Sequence, residues 1–207
     1  MRFATLLVLV LVLLPACGSC GGGQRLPQSD RVPVPVELTI VNETAETIYL
    51  ASQAECVFGP LSITQAGETL DIHAGQSLTC EGAQQGPCHT MGGCEGAGVR
   101  PLRAGERWTM TWSGIHYVDA RIDPSEAGEG CPTDCVVALA AEAGPAQARV
   151  DAYSRCELPG CDCDVTLSSS GCHPAGALEG APDLRAEAQL TIPERAGAPL
   201  EVELAFR

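Results

Sequence analysis

Ten of the twelve cysteines stand in three groups of even number, and any fold for this chain has to bring their sulfurs together in pairs. The groups are Cys56, Cys80, Cys88 and Cys94; then Cys131 and Cys135; then Cys156, Cys161, Cys163 and Cys172. Because each group is even, five bridges can close without linking one group to another. Spacing leaves the connectivity open, since ten cysteines allow about 945 pairings. Stapled loops are expected wherever the compartment is oxidising. Cys17 and Cys20 lie apart, near the N-terminus.

The N-terminus points to such a compartment. Arg2 is a minimal positive region, residues 3–14 form an apolar run too short to cross a bilayer, and the small Ala16 precedes Cys17. That order is an export signal over residues 1–16 rather than a transmembrane helix. Leu14-Pro15-Ala16-Cys17 resembles the lipobox of bacterial lipoproteins. The resemblance implies that Cys17 is acylated, palmitate being a typical chain, and becomes the first residue of the mature protein. Two or three acyl chains would hold it firmly, at about 0.8 kcal/mol per buried methylene. Gly18 after the cysteine is compatible with transport to the outer membrane, so a lipid-anchored place in the cell envelope is expected. Residues 17–31, with Gly21-Gly22-Gly23 and Pro27, read as a flexible tether. Residues 32–207 then form a single domain.

Charge narrows the choice of partners. The net charge is −14, and all twelve cations are Arg scattered among 26 acids. Nucleic acid is therefore excluded as an expected partner, because phosphate binding draws on clustered cations. With no Lys in the chain, P-loop, Schiff-base and Ser-Lys chemistries are excluded as well.

Apolar alternation gives the fold class. Val34, Val36, Leu38 and Ile40 alternate with Pro35, Glu37 and Thr39, which predicts a strand buried on one face. A turn at residues 42–45 leads into a second strand over 47–52, and the two are expected to form an opening hairpin. Further strands are expected over 69–73, 77–80, 107–112, 115–122, 148–153, 184–192 and 200–206. The clearest is 107–112, where Trp108, Met110 and Trp112 alternate with Thr109 and Thr111. Residues 103–106 form the turn before it, and 193–199 is expected to close a terminal hairpin. Residues 135–143 have a helical look that a strand would fit equally. Many short strands with Gly- and Pro-rich connections predict an all-β antiparallel sandwich. Residues 80–99 and 156–182, Gly-rich and Cys-dense, are expected as long disulfide-stapled loops.

The order of lipobox, Gly-rich tether, Leu38-Thr39-Ile40-Val41-Asn42, Cys-rich central loop, and Leu102-Arg103-Ala104-Gly105-Glu106 running into Trp112-Ser113-Gly114 and Tyr117 resembles the Cys-rich lipoproteins of soil-dwelling Gram-negative bacteria. The resemblance implies an Ig-like sandwich and carries no known activity.

Candidate sites are few. Cys161, Cys163, Cys172 and His173 have the residue types of a zinc or copper site, with Cys88-His89 and Cys131 to Cys135 as weaker versions. Thiols outside the cytoplasm are usually oxidised, so disulfides are the expected state of these cysteines and no metal or other cofactor is assigned. Asp119, Asp123, Glu126, Glu129 and Asp134 form an acidic run without a calcium-loop pattern. No nucleophile elbow, zincin helix or dinucleotide fingerprint is present. Only His73, His116 and the serines offer material for a triad. The expectation is a non-catalytic binding or structural module, with an envelope protein or glycan as partner and the two stapled loops as contact surface. The alternative is an extracytoplasmic zinc- or copper-binding protein.

Overall fold

A computed structural model describes residues 25–53, 59–73, 77–86, 88, 97–161, 163, 172, 178 and 180–207. The signal segment 1–16, Cys17, Cys20, Cys56, Cys94 and His173 lie outside the described residues. Among the described residues the structure is mostly strand, with one short helix, and no helix is long and apolar enough to cross a membrane.

Strand β1 (Val36–Asn42) is the spine of the first sheet, antiparallel to β6 (Arg107–Trp112) and parallel to β11 (Leu200–Phe206). The register lines up apolar rows: Val36 with Trp112 and Leu200, Leu38 with Met110 and Val202, Ile40 with Trp108 and Leu204. On the outer face the rows are polar. Thr39 stands beside Thr109, and Arg107 forms an ion pair with Glu203 across the sheet.

A second sheet has the order β10 (Leu184–Ile192), β9 (Gly144–Ala152), β3 (Leu61–Gln65), β4 (Glu68–Leu70). The inward side of β9 is Ala146, Ala148, Val150 and Ala152, small residues that share one core with Trp112 and Phe206. A third pair, β2 (Ile48–Gln53) with β5 (Ala97–Leu102), adds Ile48, Leu50 and Leu102 to that core. Burial of each large aliphatic or aromatic side chain contributes about 1.5–3 kcal/mol, against about 0–1 kcal/mol for an exposed ion pair such as Arg107 with Glu203. The shared core therefore holds these sheets together.

Among the described residues, Asn42 is the one buried polar residue of this body. Its Nδ2 donates to the carbonyls of Glu46 at 2.8 Å and Leu102 at 2.7 Å, while its Oδ1 accepts from Thr44 N and Thr44 Oγ1. The turn after β1 is thus pinned to the end of β5, and Asn42 N and O close the link through Glu106 and Gly105. Every polar atom of the Asn42 side chain has a partner, which is what makes its burial tolerable.

Several expectations change. The opening hairpin does not form: β1 takes β6 and β11 as neighbours, and β2 pairs with β5. Residues 193–199 carry the chain from one sheet to another rather than closing a hairpin, because β10 pairs with β9. The β1–β11 pair is parallel, so the sheets are not wholly antiparallel. Residues 135–143 resolve as strand β8 (Asp134–Ala140), and β3 is a strand that the apolar pattern does not announce. Instead of a strand over 77–80, a helix α1 (Cys80–Gln85) starts at Cys80. Helix and β5 together occupy both ends of the expected 80–99 loop.

Candidate functional site

Outside the main core lies a smaller unit made of α1, β7 (Ile115–Arg121) and β8. Thr79 caps α1, its hydroxyl accepting from Gly82 N at 3.1 Å, with Glu81 in the favourable first turn. A six-residue helix is too short to persist alone. Two bridges hold it. Cys80 joins Cys135 with Cα atoms 4.9 Å apart, and Cys88 joins Cys131 at 5.3 Å. Both tie the first cysteine group to the second, a connectivity that spacing had left open. Gly128 abuts Gly86, where an added Cβ would come within 2.9 Å of the Gly86 Cα, and Gly128 N donates to Ala83 O at 2.8 Å. The unit has its own small core of Cys80, Ala83, Ile122 and Cys135, packed by Leu26, Leu78, Ala120, Ala127 and Val137.

Leu26 belongs to the segment expected to be tether. In the structure residues 26–31 lie against the body: Leu26 packs on the small core, and Arg31 Nη2 donates to Pro193 O at 3.1 Å with Nη1 3.9 Å from Glu142. Between this segment, the start of α1 and strand β8 opens a groove of about 460 Å³. Asp30, Glu81, Thr79, Val137, Ala138 and Leu139 are among its walls, and among the described residues no cation is.

The second Cys-dense region closes on itself. Cys156 pairs with Cys161 and Cys163 with Cys172. Cys172 also exchanges two backbone hydrogen bonds with Val99, at 2.7 and 2.8 Å, so Cys172 itself is bridged to β5. Tyr153 makes the same reciprocal pair with Tyr49 of β2, at 2.9 Å each way.

These bridges bear on three of the four residues of the metal alternative. Cys161, Cys163 and Cys172 are cystine sulfurs, not thiolates, and His173 lies outside the described residues. Among the described residues no cluster of three or more His, Cys, Asp or Glu could hold an ion. The acidic run is dispersed along the β7–β8 unit. Asp123 binds Ser125, Glu126 accepts from Gln84 Nε2 at 3.4 Å, and Asp134 stands 3.5 Å from Arg121.

His73 and His116 share an acidic neighbour in Asp71. Asp71 Oδ1 accepts from His73 N at 3.1 Å, and its carbonyl accepts from Tyr117 N at 2.6 Å. Burial pushes both imidazoles below the ordinary histidine value. Asp71 pulls the other way on each, joined at His116 by Glu142. Trp108, Met110 and Trp112 lie on the core face, Trp112 with no exposure and its Nε1 donating to Ile115 O at 2.7 Å. Arg100 stacks over the Trp108 ring at 4.8 Å.

Sequence reasoning missed the groove. Its walls come from three stretches far apart in the chain, none with a motif. Scans of family models, curated proteins and solved structures find no match to this chain.

Proposed function

We propose that this chain is a lipid-anchored module of the cell envelope that works by binding or as a structural element rather than by catalysis, held by its acylated Cys17 and stabilised by disulfides. The observation that carries the reading is the pairing of all eight described cysteines into four bridges. That is the chemistry of an oxidising compartment, in keeping with the export signal read at residues 1–16. For the body we propose an Ig-like β-sandwich. Support comes from inward-facing rows of two larger sheets meeting in one core, with polar residues outside. The partner we propose is an envelope protein or glycan and the contact surface the Cys-dense stretches 80–99 and 156–182, since closing a loop with a disulfide lowers the entropy cost of binding.

Fractionation tests the anchor. Wild-type protein is expected in the membrane fraction at high salt, and Cys17→Ser in the soluble fraction. A Cys17→Ser protein that stays membrane-bound overturns the lipid-anchor reading. A thiol count on protein purified without reductant tests the bridges: zinc-protectable thiols at Cys161, Cys163 or Cys172 would return the metal alternative to first place.

A further inference from the structure

Strand β8 has one edge paired with β7 and an opposite edge that is open at Ala138. Val136 N donates outward to Leu78 O at 2.9 Å, whereas Ile122 N to Thr133 O and Ala141 N to Gly114 O close the ladder on the β7 side. Antiparallel pairing alternates, so the backbone groups of Val136, Ala138 and Ala140 face away from β7. The opposite strand obeys the same alternation, since Tyr117, across from Ala138, sends its N–H outward to Asp71. Residues Leu78 and Thr79 begin a third strand beside β8, with a parallel bridge from Thr79 to Val136. That strand stops after one rung because Thr79 turns the chain into α1 as its N-cap. The next outward position, Ala138, is exposed, has no outward backbone partner among the described residues, and opens into the groove.

We infer that this groove takes an extended peptide segment of a partner protein, added as a strand along β8 where the third strand leaves off, and that the segment is basic. Main-chain hydrogen bonds at Ala138 supply the pairing, as in strand addition to an open edge. Charge complementarity selects the occupant. Asp30 and Glu81 line the groove and Glu126 lies behind Gln84, with no lining cation among the described residues. On a chain of net charge −14, an acidic segment would be repelled and a basic one drawn in. Residues 26–30 flank the groove through side-chain packing of Leu26 and make no backbone hydrogen bond to β8, so they frame the edge without filling it.

The inference rests on the binding-module reading and deepens it. The test uses the full chain in detergent micelles and three probes: an acetylated Arg-Val-Arg-Val-Arg-Val amide, its counterpart with Glu for Arg, and the Arg peptide N-methylated at alternate residues. The Arg peptide is expected to bind, with salt weakening it, and the other two are not. Ala138→Pro removes the outward N–H while sparing the β7 ladder, since Pro is tolerated on a strand edge, and should cut affinity by about tenfold or more. Asp30→Asn with Glu81→Gln should weaken binding about three- to tenfold. No binding of the Arg peptide to the wild-type chain overturns the inference, as does equal binding of the Glu peptide. An N-methylated peptide that binds as well as its parent overturns strand addition even if Ala138→Pro fails to fold. A self-associated chain that Ala138→Pro makes monomeric would instead place a second copy at the edge. Membrane release of Cys17→Ser fails or succeeds independently of all these outcomes, so loss of the anchor and loss of the groove are told apart.

Discussion

The two cores of this molecule are built on different physics. The main core gathers Val36, Leu38, Ile40, Trp112, Ile63, Leu204 and Phe206 at or near zero exposure and has no disulfide among its members. The smaller core under α1 has four buried residues, of which two are the joined Cys80 and Cys135. Apolar burial grows with the size of a core, so a cluster that small cannot offset the entropy of ordering a helix and a hairpin. Covalent closure takes over where burial is insufficient, lowering the entropy of the unfolded chain instead of raising the contacts of the folded one. Damage to a buried ring and damage to a bridge should therefore be felt in different places.

The largest effect should come from Trp112→Ala. Truncating a fully buried Trp costs about 3–5 kcal/mol, and here it also orphans the Ile115 carbonyl. Denaturant unfolding should show loss across all sheets together; a loss confined to β7 and β8 would undo the contrast between the cores. Replacing Cys80 and Cys135 together by Ala should cost about 2–4 kcal/mol. Hydrogen exchange should then speed up in α1 and β8 while β1 and β9 keep their protection. Uniform acceleration would mean that the two cores unfold as one. Gly114→Ala strikes the junction between them. Gly114 has φ +77°, and an added Cβ would run into the Val34 carbonyl oxygen, so the backbone must move. A cost of about 2 kcal/mol is expected from the left-handed strain with the clash added. A Gly114→Ala variant of unchanged melting temperature would show that the joint is looser than its packing.

The smallest effect should be a step in melting temperature with pH. His73 and His116 are both held below the ordinary value near 6.5 by burial. The unfolded chain therefore binds protons more readily than the folded one, and stability is full above that value and falls as pH drops through it. Two carboxylates add a second loss at still lower pH. Burial raises Asp151, but hydrogen bonds from Arg149 and Arg185 more than reverse it, and Ser154 lowers Asp183. The step near neutrality should shrink in His116→Gln. A profile flat from pH 7.5 to about 5 would contradict the placement of the two imidazoles.

Much of the strand content was legible because apolar alternation reports which face of a strand is buried. Residues 107–112, 184–192 and 200–206 carry that signal and become β6, β10 and β11 with those bounds. Alternation says nothing about neighbours, so it leaves β1 beside β2, the nearest strand in sequence, when its register fits Trp112 and Leu200. Strand β3 escaped because Leu61 and Ile63 give only two beats of the period. The helix α1 escaped for a related reason. Six residues with Gly82 among them show no helical period, and what keeps them helical is the bond from Cys80 to Cys135. The groove was not legible at all, since it exists only because Thr79 ends a strand one rung early beside β8.

The place of β1 between β6 and β11 also sets the timing of folding. As the chain emerges N-terminus first, β1 appears before β6, meets it only after β2 to β5 have been made, and lacks its second neighbour until Leu200–Phe206 have followed β10. Until then one edge of a strand that buries Val36, Leu38, Ile40 and Val41 stands open, and a pairing so distant in sequence belongs to the slow end of folding, about milliseconds to seconds. A chain truncated before residue 200 would keep that edge permanently, with aggregation as the natural outcome.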